Sequence, residues 1–172
     1  MILFLDNYDS FSFNIIKKIN FKNFKINSIS YNIKNFHFNN IKENLIIFGP
    51  GPNNTFNSNL NTIIIDKFLG KKKMVGICLG HQILNCYFNS MIFKLNYFNH
   101  GQFNNFYFFI KKYNIFIEKK IIFYNSLSCY KNNILKNISN KKIEFFIFYN
   151  KNLKIKSYQF HFESLISNNN NF

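Results

Sequence analysis

The chain has 172 residues, 47% of them hydrophobic, which suits one globular domain with a sizeable core and excludes a disordered polymer. Its 22 basic side chains, all lysine, face 7 acidic ones for a formal net charge of +15, but arginine and alanine are absent and Asn, Lys, Ile, Phe and Tyr abound, a bias toward A/T-rich codons; scattered lysines without arginine forks argue for a solvated surface rather than a nucleic-acid site. Three cysteines with no CxxC or metal spacing exclude a disulfide scaffold and fit a reducing cytoplasm, and no apolar run approaches the ~20 residues of a membrane span.

Ile2 to Leu5 is an apolar run that predicts a central strand, and Asp6 interrupts it too soon for a signal peptide. Asp9 or Ser10 is expected to cap a helix that runs to near Ile19. Lys25 to Tyr31 alternates as a second strand, Leu45 to Phe48 reads as a third that ends in a glycine-proline loop, and Asn59 to Leu69 is helical. Lys73 to Ile77 predicts a fourth strand, followed by a helix over His81 to Phe88. This rhythm is that of a mostly parallel α/β sheet with flanking helices.

The second half has a different pattern. Phe103 to Ile110, Ile115 to Glu118 and Ile121 to Tyr124 predict short antiparallel strands, and Asn132 to Ile138 one or two helical turns. Glu144 to Tyr149 and Leu153 to Phe160 predict a hairpin across Asn150-Lys151-Asn152 that carries His161 to the site. Residues 1–166 are expected to form the domain, with 167–172 as a polar tail that frays.

Between the fourth strand and its helix stands Gly76-Ile77-Cys78-Leu79-Gly80, one cysteine in a sharp strand-to-helix turn whose flanking glycines permit close packing. This is the cysteine counterpart of the hydrolase nucleophile elbow. A thiol at a helix start meets free backbone N–H groups that favour thiolate, and the Leu79 N–H points where an oxyanion donor must. Downstream, His161 and Glu163 are two residues apart, so in an extended segment they share a face. Glu163 is placed to orient one ring nitrogen, leaving the other to take the Cys78 proton. Alone, a cysteine and a histidine are most often packing residues.

The flanking residues change that balance. Cys78-Leu79-Gly80-His81-Gln82 with Gln159-Phe160-His161-x-Glu163-Ser164 resembles the class I glutamine amidotransferases. Leu5-Asp6-Asn7-Tyr8-Asp9-Ser10-Phe11, Gly49-Pro50-Gly51-Pro52, Asn99-His100-Gly101 and Tyr124-Asn125-Ser126-Leu127 resemble, in order, the glutaminase subunits of anthranilate and 4-amino-4-deoxychorismate synthases. The resemblance implies a flavodoxin-like α/β fold with a small antiparallel portion and hydrolysis of L-glutamine to glutamate and ammonia. It implies Cys78 as nucleophile, His161 as base and acid, and Glu163 as orienter. Gly51 and Leu79 would donate to the oxyanion, with Pro52 in the same loop, and Gln82, Ser126 and Leu127 would hold the amino-acid part of glutamine. It further implies, as partner, a chorismate-binding synthase subunit, for anthranilate first and aminodeoxychorismate as the runner-up, with any magnesium in that partner and no cofactor in this chain. A non-catalytic protein that only stabilises the synthase and a stand-alone hydrolase are the other readings.

Three motifs depart from the pattern. Phe162 stands where the family has proline, Asn53 where it has glycine, and Phe123-Tyr124-Asn125 replaces a more polar triplet. The loop then has two registers, with Gly51 in both. His81 is expected to be structural, His100 to shape the site's edge, and His37 to have no role. Asp6, Asp9 and Ser10 suit capping and a partner contact better than a metal. Cys86 and Cys129 are expected to be packing residues.

Overall fold

The computed structural model describes residues 1–30, 38, 41–52, 59–110, 115–130, 136–137, 144–145 and 147–161. The first half is strand Ile2–Asp6 (β1), helix Ser12–Phe21 (α1), strands Ile26–Ser30 (β2) and Leu45–Phe48 (β3), helix Asn59–Phe68 (α2), strand Lys73–Ile77 (β4) and helix Leu79–Tyr87 (α3). The second half holds strands Ile92–Ile110 (β5), Ile115–Tyr130 (β6), Lys136–Asn137 (β7), Glu144–Phe145 (β8), Ile147–Asn150 (β9) and Ile155–Tyr158 (β10).

Among the described residues the main sheet runs β2-β1-β3-β4-β10-β9-β7. Its first five strands are mutually parallel, β9 runs antiparallel to β10, and β7, antiparallel to β9, runs again in the direction of the first five. A second, antiparallel sheet has the order β5-β6-β8. The expected class, a mostly parallel α/β sheet with a small antiparallel portion, is the one observed.

Strand pleating explains the core. Leu3, Leu5, Ile46 and Phe48 point to one face, where they bury Leu60, Ile64 and Ile65 of α2 with Ile83 and Leu84 of α3. The alternate residues Ile2, Phe4 and Ile47 point to the other, against Ile15 of α1. Strands covered on both faces must be apolar throughout, which is why β1 and β3 read as unbroken hydrophobic runs.

Several boundaries differ from expectation. The residue that caps α1 is Phe11, with no side-chain cap. Asp9 instead accepts the Phe11 N–H through Oδ1 (2.8 Å), and Asp6 Oδ1 accepts from the Ser12 hydroxyl (2.7 Å). The acidic residues fold the turn that precedes the helix, so the cap falls later than Asp9 or Ser10. Helix α3 starts at Leu79 rather than His81, because Cys78 itself turns the chain.

The three short strands expected between Phe103 and Tyr124 are parts of one long hairpin of 19- and 16-residue strands. Asparagine is disfavoured in strands, and Asn99 and Asn125 lie outside the predicted segments, yet they pair with each other across β5 and β6. Irregularities between Lys94 and Asn99 and between His100 and Gln102 bend this hairpin. In the segment expected to be helical, Lys136–Asn137 is extended and pairs with β9; residues 132–135 and 138 lie outside the described residues. Glu144 to Tyr149 is not one strand: β8 joins β6 in the second sheet and β9 joins β10 in the main one. The expected hairpin is present between β9 and β10, but its turn covers residues 151–154 rather than 150–152, with Ile155 opposite Asn150. His37, Tyr31, Asn53, Phe162, Glu163, Ser164 and the 167–172 tail lie outside the described residues.

Candidate active site

The site lies at the carboxyl ends of adjacent parallel strands, beside the point where the order turns from β1 to β3. Cys78 follows β4 with φ 52° and ψ −105°, a left-handed conformation for a residue with a β-carbon. Such backbone costs about 1–3 kcal/mol and persists only where surroundings enforce it. The enforcement is visible. A Cβ on Gly76 would come within 2.5 Å of the Gly80 carbonyl oxygen, and one on Gly80 within 2.1 Å of the Phe48 carbonyl oxygen. The two glycines let α3 sit directly on β3 and β4. The Cys78 N–H donates to the Tyr158 carbonyl at 2.8 Å, which ties the turn to the end of β10.

His161 follows β10, the sheet neighbour of β4, where Tyr158 is in register with Ile77. Parallel strands are about 4.8 Å apart, so residues 83 positions distant in sequence issue from one end of neighbouring strands. His161 is 1% exposed. Its ring centroid stands 5.0 Å from that of Phe11 and 5.6 Å from that of Tyr124, and its backbone N–H donates to the Ile122 carbonyl (3.3 Å). Phe11 and Tyr124 pack on each other at 4.9 Å. The imidazole is thus seated between the turn before α1 and strand β6.

A hydrogen-bonded path joins the sulfur to β6. Gln82 on α3 donates through Nε2 to the Leu127 carbonyl (3.1 Å) and to Gln159 Oε1 (3.2 Å). Gln159 Nε2 in turn donates to Cys78 Sγ at 3.8 Å. Asn125 Nδ2 shares the Leu127 carbonyl (2.9 Å), and Ser126 is half-buried between them. On the opposite side, Gly51 lies so close to the elbow that a Cβ there would be 2.6 Å from the Asn7 carbonyl oxygen and 2.9 Å from Leu79 Cδ2. Pro52 beside it is exposed. Asn7 Nδ2 donates to the Gly49 carbonyl (2.9 Å), and its Oδ1 accepts from Asn61 of α2 (3.0 Å). The loop is therefore anchored at Gly49 and approaches Leu79 at Gly51.

Of the residues singled out from sequence, Cys78, Leu79, Gln82, Leu127 and Gly51 are brought together and His161 issues beside them; Glu163 is outside the described residues. His81 is fully buried, shares a 2.8 Å hydrogen bond between Nδ1 and Ser157 Oγ, and so ties α3 to β10, a structural role as expected. His100 is in β5 opposite Tyr124. Sequence reasoning gave no role to Asn7, Phe11, Tyr124 or Gln159; each sits within a quoted motif, but nothing in residue type distinguishes a site wall from core. Among the described residues no group of three or more His, Cys, Asp or Glu is arranged to hold a metal ion. No helix among them is long and apolar enough to cross a membrane.

All three cysteines are free thiols. Burial pushes the Cys129 thiol well above its ordinary range, and charge on Cys86 or Cys78 would push it further. A raised value keeps Cys129 protonated at neutral pH, so iodoacetamide is expected to leave it unmodified in the folded protein and to modify it once urea unfolds the chain. Peptide mass spectrometry checks this.

Fold and site together define a parallel α/β protein with a cysteine held at positive φ in a strand-to-helix turn. Residues 3–171 match the family model described as glutamine amidotransferase class-I, and the chain belongs to that family. It is similar to anthranilate synthase component 2 of Buchnera aphidicola from Schizaphis graminum, with 32% identity over 87 residues, 48% of this chain and 44% of that protein. The same-named protein of Cyanidium caldarium is 34% identical over 107 residues, 59% of this chain and 53% of that one. The chain thus spans about half the length of the curated relatives it matches. In fold it resembles a putative GMP synthase protein of Thermoplasma acidophilum (TM-score 0.75, 15% identity, 94% of this chain and 83% of that one). A glutamine amidotransferase of Thermotoga maritima is similar at TM-score 0.72 and 14% identity, covering 94% and 75%.

Proposed function

We propose that this protein hydrolyses L-glutamine and passes the ammonia to a chorismate-binding synthase subunit, for the synthesis of anthranilate. The observation that carries the reading is Cys78, held at φ 52° ahead of α3 and beside the strand that bears His161. In this mechanism Cys78 Sγ attacks the side-chain amide carbon of glutamine as His161 takes the thiol proton. The backbone N–H groups of Gly51 and Leu79 stabilise the oxyanion, a contribution worth about 10²–10³ in rate per donor. His161 returns the proton to the departing nitrogen, and ammonia leaves a thioester on Cys78. Water, deprotonated by His161, then releases glutamate and restores the thiol. Glu163 orients His161, and Gln82, Ser126 and Leu127 hold the amino-acid part of the substrate, with Pro52 shaping the loop. Residues 1–166 form the catalytic unit, acting in the cytoplasm.

The anthranilate branch is favoured because the curated relatives matched carry the name anthranilate synthase component 2. The test is to combine the purified chain with a chorismate-binding synthase, supply glutamine and chorismate, and identify the products. Glutamate with anthranilate supports the reading. Aminodeoxychorismate moves the protein to the folate branch. An assembly that uses ammonia but not glutamine leaves it a non-catalytic partner, and full activity without any synthase makes it a stand-alone hydrolase.

A further inference from the structure

We infer that Gln159 is a further catalytic residue, the amide that holds the Cys78 sulfur in its reactive state. This rests on the glutaminase reading above. Gln159 is completely buried, and its two polar ends have separate partners. Oε1 accepts from Gln82 Nε2 at 3.2 Å, and Nε2 donates to Cys78 Sγ at 3.8 Å. The orientation of that amide is set by the network: Gln82 offers an NH2 group already engaged with the Leu127 carbonyl (3.1 Å), so the facing end of Gln159 must be oxygen. The remaining NH2 therefore faces sulfur. Gln159 is also the residue after Tyr158, whose carbonyl takes the Cys78 N–H, so donor and sulfur are fixed to the same strand end.

A hydrogen bond to an ionised acceptor is roughly twice as strong as a neutral one. An amide N–H aimed at sulfur thus fixes the side-chain rotamer from which attack starts, and it offers a donor to the negative charge that proton transfer to His161 leaves on sulfur. The amide itself carries no net charge.

The test is the rate at which iodoacetamide alkylates Cys78, read by peptide mass spectrometry in wild type, Gln159→Met and Gln82→Met. Buried Cys129 serves in the same sample as the monitor of packing. Gln159→Met is expected to slow Cys78 alkylation roughly ten-fold, in line with loss of one hydrogen bond to a charged group, with Cys129 still protected. Gln82→Met, which removes the anchor of the Gln159 amide along with the bond to the Leu127 carbonyl but does not touch the sulfur, is expected to give a smaller slowing in the same direction. In the assembled enzyme Gln159→Met should lower kcat while KM for glutamine stays within about two-fold, a split that general loosening would not give. Equal or faster alkylation of Cys78 in Gln159→Met overturns the inference. Should that variant expose Cys129, Gln82→Met decides, and an unchanged Cys78 rate there overturns it equally. Wild-type protein that alkylates normally yet never releases glutamate would refute the glutaminase reading instead.

Discussion

Cys78→Ser is expected to lower glutamine-dependent glutamate release about 10⁴-fold or more, while the assembled synthase keeps its rate with free ammonia. A hydroxyl is far less acidic and less nucleophilic than a thiol, and groups that act as a unit in covalent catalysis lose nearly everything when the nucleophile is changed. The substitution is otherwise small. Serine keeps the volume nearly unchanged at a site that is 7% exposed. The fold and any contact with the synthase should survive, so the loss is one of chemistry. Paired assays with glutamine and with ammonium separate the two. A serine variant that retained most of its glutamine-dependent rate would remove Cys78 from the reaction.

Gly80→Ala should destabilise the protein by about 3 kcal/mol or more, the upper range for overpacking a tight core. Alanine is the better helix former by about 1 kcal/mol, and Gly80 lies in the first turn of α3, so propensity alone predicts a gain. Sterics win, because the new Cβ would be 2.1 Å from the Phe48 carbonyl oxygen and 2.7 Å from its carbon. Backbone of a central strand cannot swing aside as a flexible side chain would. Relief requires α3 to lift from β3, which moves Cys78 with it. Gly70→Ala is the comparison: Gly70 has φ +71° with nothing within 4 Å of a new Cβ, so its cost is confined to roughly 1–2 kcal/mol of local backbone strain. Urea unfolding of the three proteins measures the order wild type, Gly70→Ala, Gly80→Ala. Equal stability of Gly80→Ala and wild type would mean that the elbow is not packed as described.

The sequence by itself determined the parallel half of the fold and singled out the candidate site. Leu45–Phe48 and Lys73–Ile77 were legible to the residue: the first is an unbroken apolar run that ends at Gly49, and the second leads from a lysine into the turn of Gly76-Ile77-Cys78-Leu79-Gly80. The elbow was legible for a related reason: only glycine tolerates the contacts that Gly76 and Gly80 make, so the constraint is written in residue type. The antiparallel half was read less well, since abundant asparagine hides where strands continue, and β5 and β6 exceed every predicted segment there.

Tertiary structure alone decided which residues surround Cys78 and His161. Strand order places β10 beside β4, and with it Gln159 against Cys78 and His161 between Phe11 and Tyr124. Local periodicity carries no record of which strands become neighbours, because that choice is made by burying apolar faces over the whole sheet. A buried glutamine and an ordinary phenylalanine therefore acquire their places in the site from packing, and their residue types give no sign of it.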